Sequence, residues 1–77
     1  MDELILAIVR PIVGHPDDVR VEWNEEETET IYRLFVHPDD IGKVIGKKGR
    51  TAKAIRTVVY AAAGAHGHKK IHLEIAD

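Results

Sequence analysis

Ile41-Gly42-Lys43-Val44-Ile45-Gly46-Lys47-Lys48-Gly49-Arg50-Thr51-Ala52-Lys53-Ala54-Ile55-Arg56 carries apolar residues at helical spacing on both sides of a short break, Gly46 to Gly49. Upstream, Ile41, Val44 and Ile45 mark a short helix that Gly46 stops. Downstream, Ala52, Ile55, Val58, Val59 and further alanines mark a second helix, from near Arg50 to about Ala63. Glycine at both corners of the break suits a tight turn, because it tolerates unusual φ/ψ and has no side chain to hold another backbone away.

The second helix opens beside that turn, with unpaired amides and a partial positive charge at its N-terminus. Lys47, Lys48 and Arg50 add mobile cations at the same place. Loop, dipole and side chains together suit a phosphate backbone. Gly-x-x-Gly alone is a common tetrapeptide, and a plain helix–helix turn with solvated lysines is the competing reading.

Outward from this stretch, Pro38-Asp39-Asp40 reads as a helix start, with proline in the first turn and both carboxylates facing the positive end of the dipole. Thr30 to Val36 is β-branched and aromatic and reads as a strand, with Tyr32, Leu34 and Val36 on the core face. Val19, Val21 and Trp23 alternate with Arg20 and Glu22 as an antiparallel partner with one buried face, joined to it through Asn24–Glu27. From Asp2 to about Val13, Leu4, Ile5, Ile8, Val9 and Ile12 follow helical spacing, with Asp2 as N-cap and Pro11 loosening the last turn. Beyond a flexible Gly64–His68 connection, Ile71, Leu73 and Ile75 alternate as a third strand. The order is α-β-β-α-α-β, an α+β domain over residues 1–77 with a three-stranded sheet covered on one face by three helices.

The net charge of −2 hides a strong polarity. Residues 1–40 hold three basic residues against eleven acidic ones, a balance of −8. Residues 41–73 hold eight basic residues and no acid, so the Gly46–Gly49 turn sits in the cationic part of the chain. The absence of cysteine rules out disulfides and thiolate metal sites and suits a cytoplasmic setting. The apolar N-terminus has no basic leader, is followed by Arg10-Pro11, and is too short to span a bilayer, so membrane insertion is not expected. Gly42 and Gly46 do not have P-loop spacing, and no Gly-Lys-Ser/Thr follows. No nucleophile–base set is present, Asp39 and Asp40 are accounted for as helix-start residues, and no catalytic or cofactor site is assigned. His66, His68 and His72 lack nearby carboxylate or cysteine ligands in sequence and are read as exposed or partly satisfied, with no metal site.

The central stretch resembles the KH signature V-I-G-x-x-G-x-x-I-x-x-I, and the element order is that of the bacterial, type II KH fold. Length, the Ile-Gly-Lys-Val-Ile-Gly opening and the Ala-Lys-Ala-Ile-Arg helix are similar to the small stand-alone KhpA-type proteins, across essentially the whole chain. The resemblance implies that the Gly46-Lys47-Lys48-Gly49 loop clamps the backbone of about four nucleotides of single-stranded RNA. It also implies that Ile41, Ile45, Ala52 and Ile55 floor a groove for bases. Lys43, Lys53 and Arg56 would extend the positive track beyond Arg50, with the strand near Ile71–Leu73 as opposite wall. Ala52 departs from the bulky aliphatic usual in the family, which widens the floor and puts base preference in doubt. With no aromatic in the floor, the expected binding is salt-sensitive and on the order of micromolar.

Ile55, Val59 and Ala62 form one apolar stripe on the long helix, suited to the sheet. Ala54, Val58, Ala61 and Ala65 form a second, which is either part of a wide core-facing stripe or a two-fold interface. The family resemblance implies homodimers, a larger Jag-type KH partner, and links to cell elongation and division in some bacteria. Two classes stay open: an RNA chaperone or post-transcriptional regulator acting as a dimer, and a protein-interaction subunit whose RNA grip is secondary.

Overall fold

The computed structural model describes residues 1–65, 67 and 70–76. Its elements are α1 (Asp2–Val9), β1 (Arg20–Glu25), β2 (Glu29–Phe35), α2 (Ile41–Ile45), α3 (Arg50–Ala65) and β3 (Lys70–Ile75). The order α-β-β-α-α-β and the α+β class expected from periodicity hold. The sheet runs β1-β2-β3, with β1 antiparallel and β3 parallel to the central β2. The helices supply its cover: α1 packs on β1 and α3, and α3 packs on both α2 and β3.

Alternation along the strands decides what is buried. Leu34 pairs with Ile75 and Tyr32 with Leu73 on the face under the helices. Leu34 and Leu73 are fully buried, and Tyr32 and Val36 pack against the same core, as their shared face requires. Ile5, Val9, Val44, Ile55 and Val59 meet them from the helices. Each such side chain contributes about 1.5–3 kcal/mol on leaving water.

The structure corrects four local expectations. First, α1 ends at Val9, one turn short of Val13. Pro11 cannot bond back to Ala7, so the chain leaves the helix in a tighter turn in which the Ile12 amide reaches the Val9 carbonyl at 2.9 Å. Second, the N-cap of α1 is Met1, with Asp2 inside the first turn. Third, burial falls along β1 from Val19 through half-buried Val21 to Trp23, which is 60% exposed. As an edge strand running toward the hairpin tip, β1 leaves the helical cover before Trp23. Fourth, the strands extend to Glu25 and from Glu29, which narrows the hairpin turn to Glu26–Thr28, closed by the Glu26 amide on the Glu29 carbonyl at 2.8 Å.

Candidate nucleic-acid interface

Gly46 ends α2 at φ 75°, ψ 172°, a region that side-chain-bearing residues rarely occupy. A Cβ there would collide with the Thr51 hydroxyl and lie 2.7 Å from Thr51 Cβ and 2.9 Å from its amide nitrogen. The glycine is what lets the chain fold back onto the first turn of α3. Lys48 follows at φ 58° and Gly49 at φ 75°, and the Gly49 amide bonds the Gly46 carbonyl at 3.1 Å to close the turn. Around Gly49 a Cβ would meet open space, so there the backbone angle alone calls for glycine.

This tight turn projects Lys47 and Lys48 into solvent at the mouth of the sixteen-residue α3, beside exposed Arg50 and Lys53. The positive end of α3, whose Arg50 amide bonds the Lys47 carbonyl, and four exposed cations therefore share one patch. The other two expected cations are already engaged. Lys43 Nζ lies 3.5 Å from Asp40 Oδ1, and Arg56 Nε donates to the Leu73 carbonyl at 3.0 Å.

The expected floor residues come together around α2 and α3, at different depths. Ile41 and Ile45 are half-buried, whereas Ala52 and Ile55 are only 5% and 3% exposed. Surface is thus offered by the α2 pair, and the α3 pair supports it from beneath. The second stripe on α3 lies away from the core: Ala54, Val58, Ala61 and Ala65 are all exposed, Val58 by 51%.

Sequence reasoning missed what anchors α2. Asp40 is fully buried and makes no capping bond to α2. Its carboxylate instead accepts the amides of Gly14 at 3.0 Å and His15 at 2.9 Å, with the His15 ring Nδ1 at 3.1 Å. Burial alone would raise its pKa, but those donors and the Lys43 ammonium outweigh it and hold the carboxyl at about 2. Helix-start duty therefore does not account for Asp40, which is a tertiary tie between the Gly14–His15 bend and α2. A signal was available only in part, as a Gly-His bend and an acid just before a helix.

Carboxylates also lie closer to the histidines than the sequence reading allowed. His15, His37 and Asp39 gather ligand atoms within 4.8 Å of one another. The two rings, however, stack with centroids 3.9 Å apart and 12° between their planes, so their in-plane lone pairs run side by side and do not converge. His37 Nδ1 accepts the Asp39 amide at 3.0 Å. As it stands this is a stacked pair bracing the start of α2, not a coordination set. His72 Nε2 lies 3.8 Å from Glu74 along β3, where the His72 side chain is exposed, while His66 and His68 lie outside the described residues.

A hollow of about 280 Å³ lies elsewhere, against β1 and β2, lined by Glu22, Trp23, Asn24, Ile31 and Arg33. It belongs to the acidic half of the chain and shares no residue with the cationic patch.

Residues 2–75 match the model of the KhpA/KhpB KH domain. The chain is 54% identical over its full 77 residues to the RNA-binding protein KhpA of Listeria monocytogenes, covering 100% of that protein. It is 54% identical over the same length to the RNA-binding protein KhpA of Bacillus subtilis, covering 94% of it, and 42% identical to that of Streptomyces coelicolor, covering 92%. Among solved structures, Aquifex aeolicus Era bound to GDP and AlF4− superposes with a TM-score of 0.70 at 18% identity, over 96% of this chain and 28% of Era. Era in complex with MgGDPNP and nucleotides 1506–1542 of 16S ribosomal RNA superposes with a TM-score of 0.69 at 18% identity, over the same shares of the two chains. Matched along nearly its whole length by the family model and by full-length relatives, the chain belongs to the KhpA/KhpB family of KH domains.

Proposed function

We propose that this chain binds single-stranded RNA through the Gly46-Lys47-Lys48-Gly49 turn and the first turn of α3. The observation that carries the reading is the steric one at Gly46: only glycine lets the turn fold against Thr51 and bring Lys47, Lys48, Arg50 and the α3 amides into one patch. Such a patch suits successive phosphates, and half-buried Ile41 and Ile45 give bases an apolar surface beside it. The names of the KhpA relatives point the same way. Binding of this kind, without base stacking on aromatics, suits a cytoplasmic RNA chaperone or post-transcriptional regulator.

The exposed stripe Ala54, Val58 and Ala61 favours a second element of the reading, a homodimer formed through α3. Two grips on one strand raise the effective affinity of a weak single site. The same stripe also supports the alternative role, docking on a larger Jag-type KH protein with RNA binding secondary. Replacing Lys47 and Lys48 together by Asp separates these. Lost RNA crosslinking and lost cellular function, with intact dimer mass, support the RNA-binding role. Unimpaired cellular function despite lost crosslinking supports the docking role, and undiminished crosslinking overturns the loop assignment.

A further inference from the structure

The outer edge of β3 faces no further strand of the sheet. The Ala76 amide bonds the Leu34 carbonyl at 2.9 Å, which sets the even-numbered backbone groups of this segment toward β2. By alternation, Ile71, Leu73 and Ile75 turn their amides and carbonyls outward. At Leu73 both outward groups are taken by α3. The Leu73 amide donates to the Tyr60 hydroxyl at 3.0 Å, and Arg56 Nε donates to the Leu73 carbonyl at 3.0 Å. Arg56 and Tyr60 stand four residues apart, one helical turn, so a single face of α3 grips one strand residue from both sides. Both side chains remain partly exposed.

The grip changes the chemistry of the wall. A bare strand edge at Leu73 offers one donor and one acceptor, and could pair with an amino group and a carbonyl alike. Once sealed, the edge shows side-chain groups instead. Tyr60, whose oxygen accepts the amide, still has its own O–H to donate. A guanidinium has no acceptor at all, and the Nε bond uses only one of its five N–H donors. The wall is therefore rich in donors and has lost the Leu73 carbonyl.

Resting on the RNA-binding reading above, we infer that Arg56 and Tyr60 are specificity-determining residues that select bases with an exocyclic carbonyl over those with an exocyclic amino group. Every base has ring acceptors, so the contrast lies at the exocyclic position: uracil O4 and guanine O6 accept there, whereas the amino groups of cytosine and adenine bring donors to a wall of donors. Arg56 and Tyr60 lie about 9 and 15 Å along α3 from Arg50 at the helical rise, within reach of a strand held at the loop. The selected base is thus one or two nucleotides beyond the phosphates gripped by Lys47 and Lys48.

The test is fluorescence anisotropy with labelled U8 and C8 RNA octamers, which differ at the base edge alone. The wild-type protein is expected to bind U8 about five-fold more tightly than C8, the scale of one matched hydrogen bond. Tyr60→Phe should bring the ratio close to one. Arg56→Met frees the Leu73 carbonyl and should also lower the ratio, although both affinities fall with the lost charge. Reading the ratio separates selection from overall grip, and the second variant serves if the first fails to fold. A wild-type ratio of one with both RNAs bound, or a ratio unchanged in both variants, overturns the inference and leaves the RNA-binding reading standing. Binding of neither RNA overturns both.

Discussion

The Asp40 carboxylate accepts the Gly14 amide at 3.0 Å across twenty-six residues of chain, and through it the bend after α1 fixes the start of α2. Replacing one of its oxygens by an amide NH2 sets a donor against a part-buried backbone donor. Asp40→Asn is therefore expected to lower Tm by at least several degrees and to loosen α2, on which the Gly46–Gly49 turn hangs. The pH dependence has a defined sign. Burial works against the Asp40 charge, but the Gly14 and His15 donors and Lys43 outweigh it, so its pKa falls to about 2 in the folded protein against about 3.9 for an unfolded aspartate. A carboxyl with a depressed folded pKa stabilises fully above the unfolded value, and that contribution is lost as pH falls through the folded one. Thermal melts should thus show a wild-type advantage over Asp40→Asn that is constant above about pH 5, narrows below about pH 4 and closes near pH 2. A gap that stays constant down to pH 2 would refute the charged tie.

Gly46 and Gly49 share a positive φ and differ in surroundings, which makes them a paired test. Gly49→Ala meets no neighbour and pays only for the left-handed backbone, about 1–2 kcal/mol. Gly46→Ala meets the Thr51 side chain and backbone as well, so the turn must open. Denaturant unfolding should rank Gly46→Ala as the more destabilising by a clear margin. Equal losses would mean that backbone angle alone sets the need for glycine at both positions.

Much of this fold is legible because its signals are local. Alternation at Ile71, Leu73 and Ile75, the glycines bounding the α2–α3 break and the charge polarity of the two halves each occupy a short window, and the structure realises them in place. What escaped the sequence is made by contacts between distant residues. Nothing near Asp40 announces that its partners are Gly14 and His15, and nothing near Arg56 or Tyr60 announces that both converge on Leu73, thirteen to seventeen residues on. Trp23 misled for a related reason. Its alternation with Glu22 places it correctly on the helix-facing side of β1, but how far the helices reach along an edge strand is a tertiary property, and Trp23 lies past their cover.

Val58 tests the exposed stripe of α3. Because its side chain is 51% exposed on the side away from the sheet, Val58→Asp removes no core contact. The monomer fold should be nearly unperturbed, with the change in its intrinsic stability within about 1 kcal/mol, and the far-UV spectrum should keep its shape. If the stripe is the two-fold interface, light scattering behind size exclusion should show the mass halved. An unchanged dimer mass would remove this face of α3 from the interface.

The cationic patch makes a quantitative claim about salt. Each phosphate neutralised on a single strand contributes about −0.7 to the slope of log K against log salt. Lys47, Lys48, Arg50 and Lys53 are exposed, whereas Lys43 and Arg56 have partners within the fold, so two to four phosphate contacts are expected per site. That gives a slope of about −1.4 to −2.8. Replacing Lys47 and Lys48 by Ala should reduce its magnitude by about 1.4, and Lys43→Ala should change it little because that ammonium is already paired with Asp40. The contrast matters more than the absolute slope, since all three lysines carry the same charge and differ in what the fold has given them to do. A slope that responds equally to Lys43 and to the loop lysines would place the phosphates along α2, away from the Gly46–Gly49 turn.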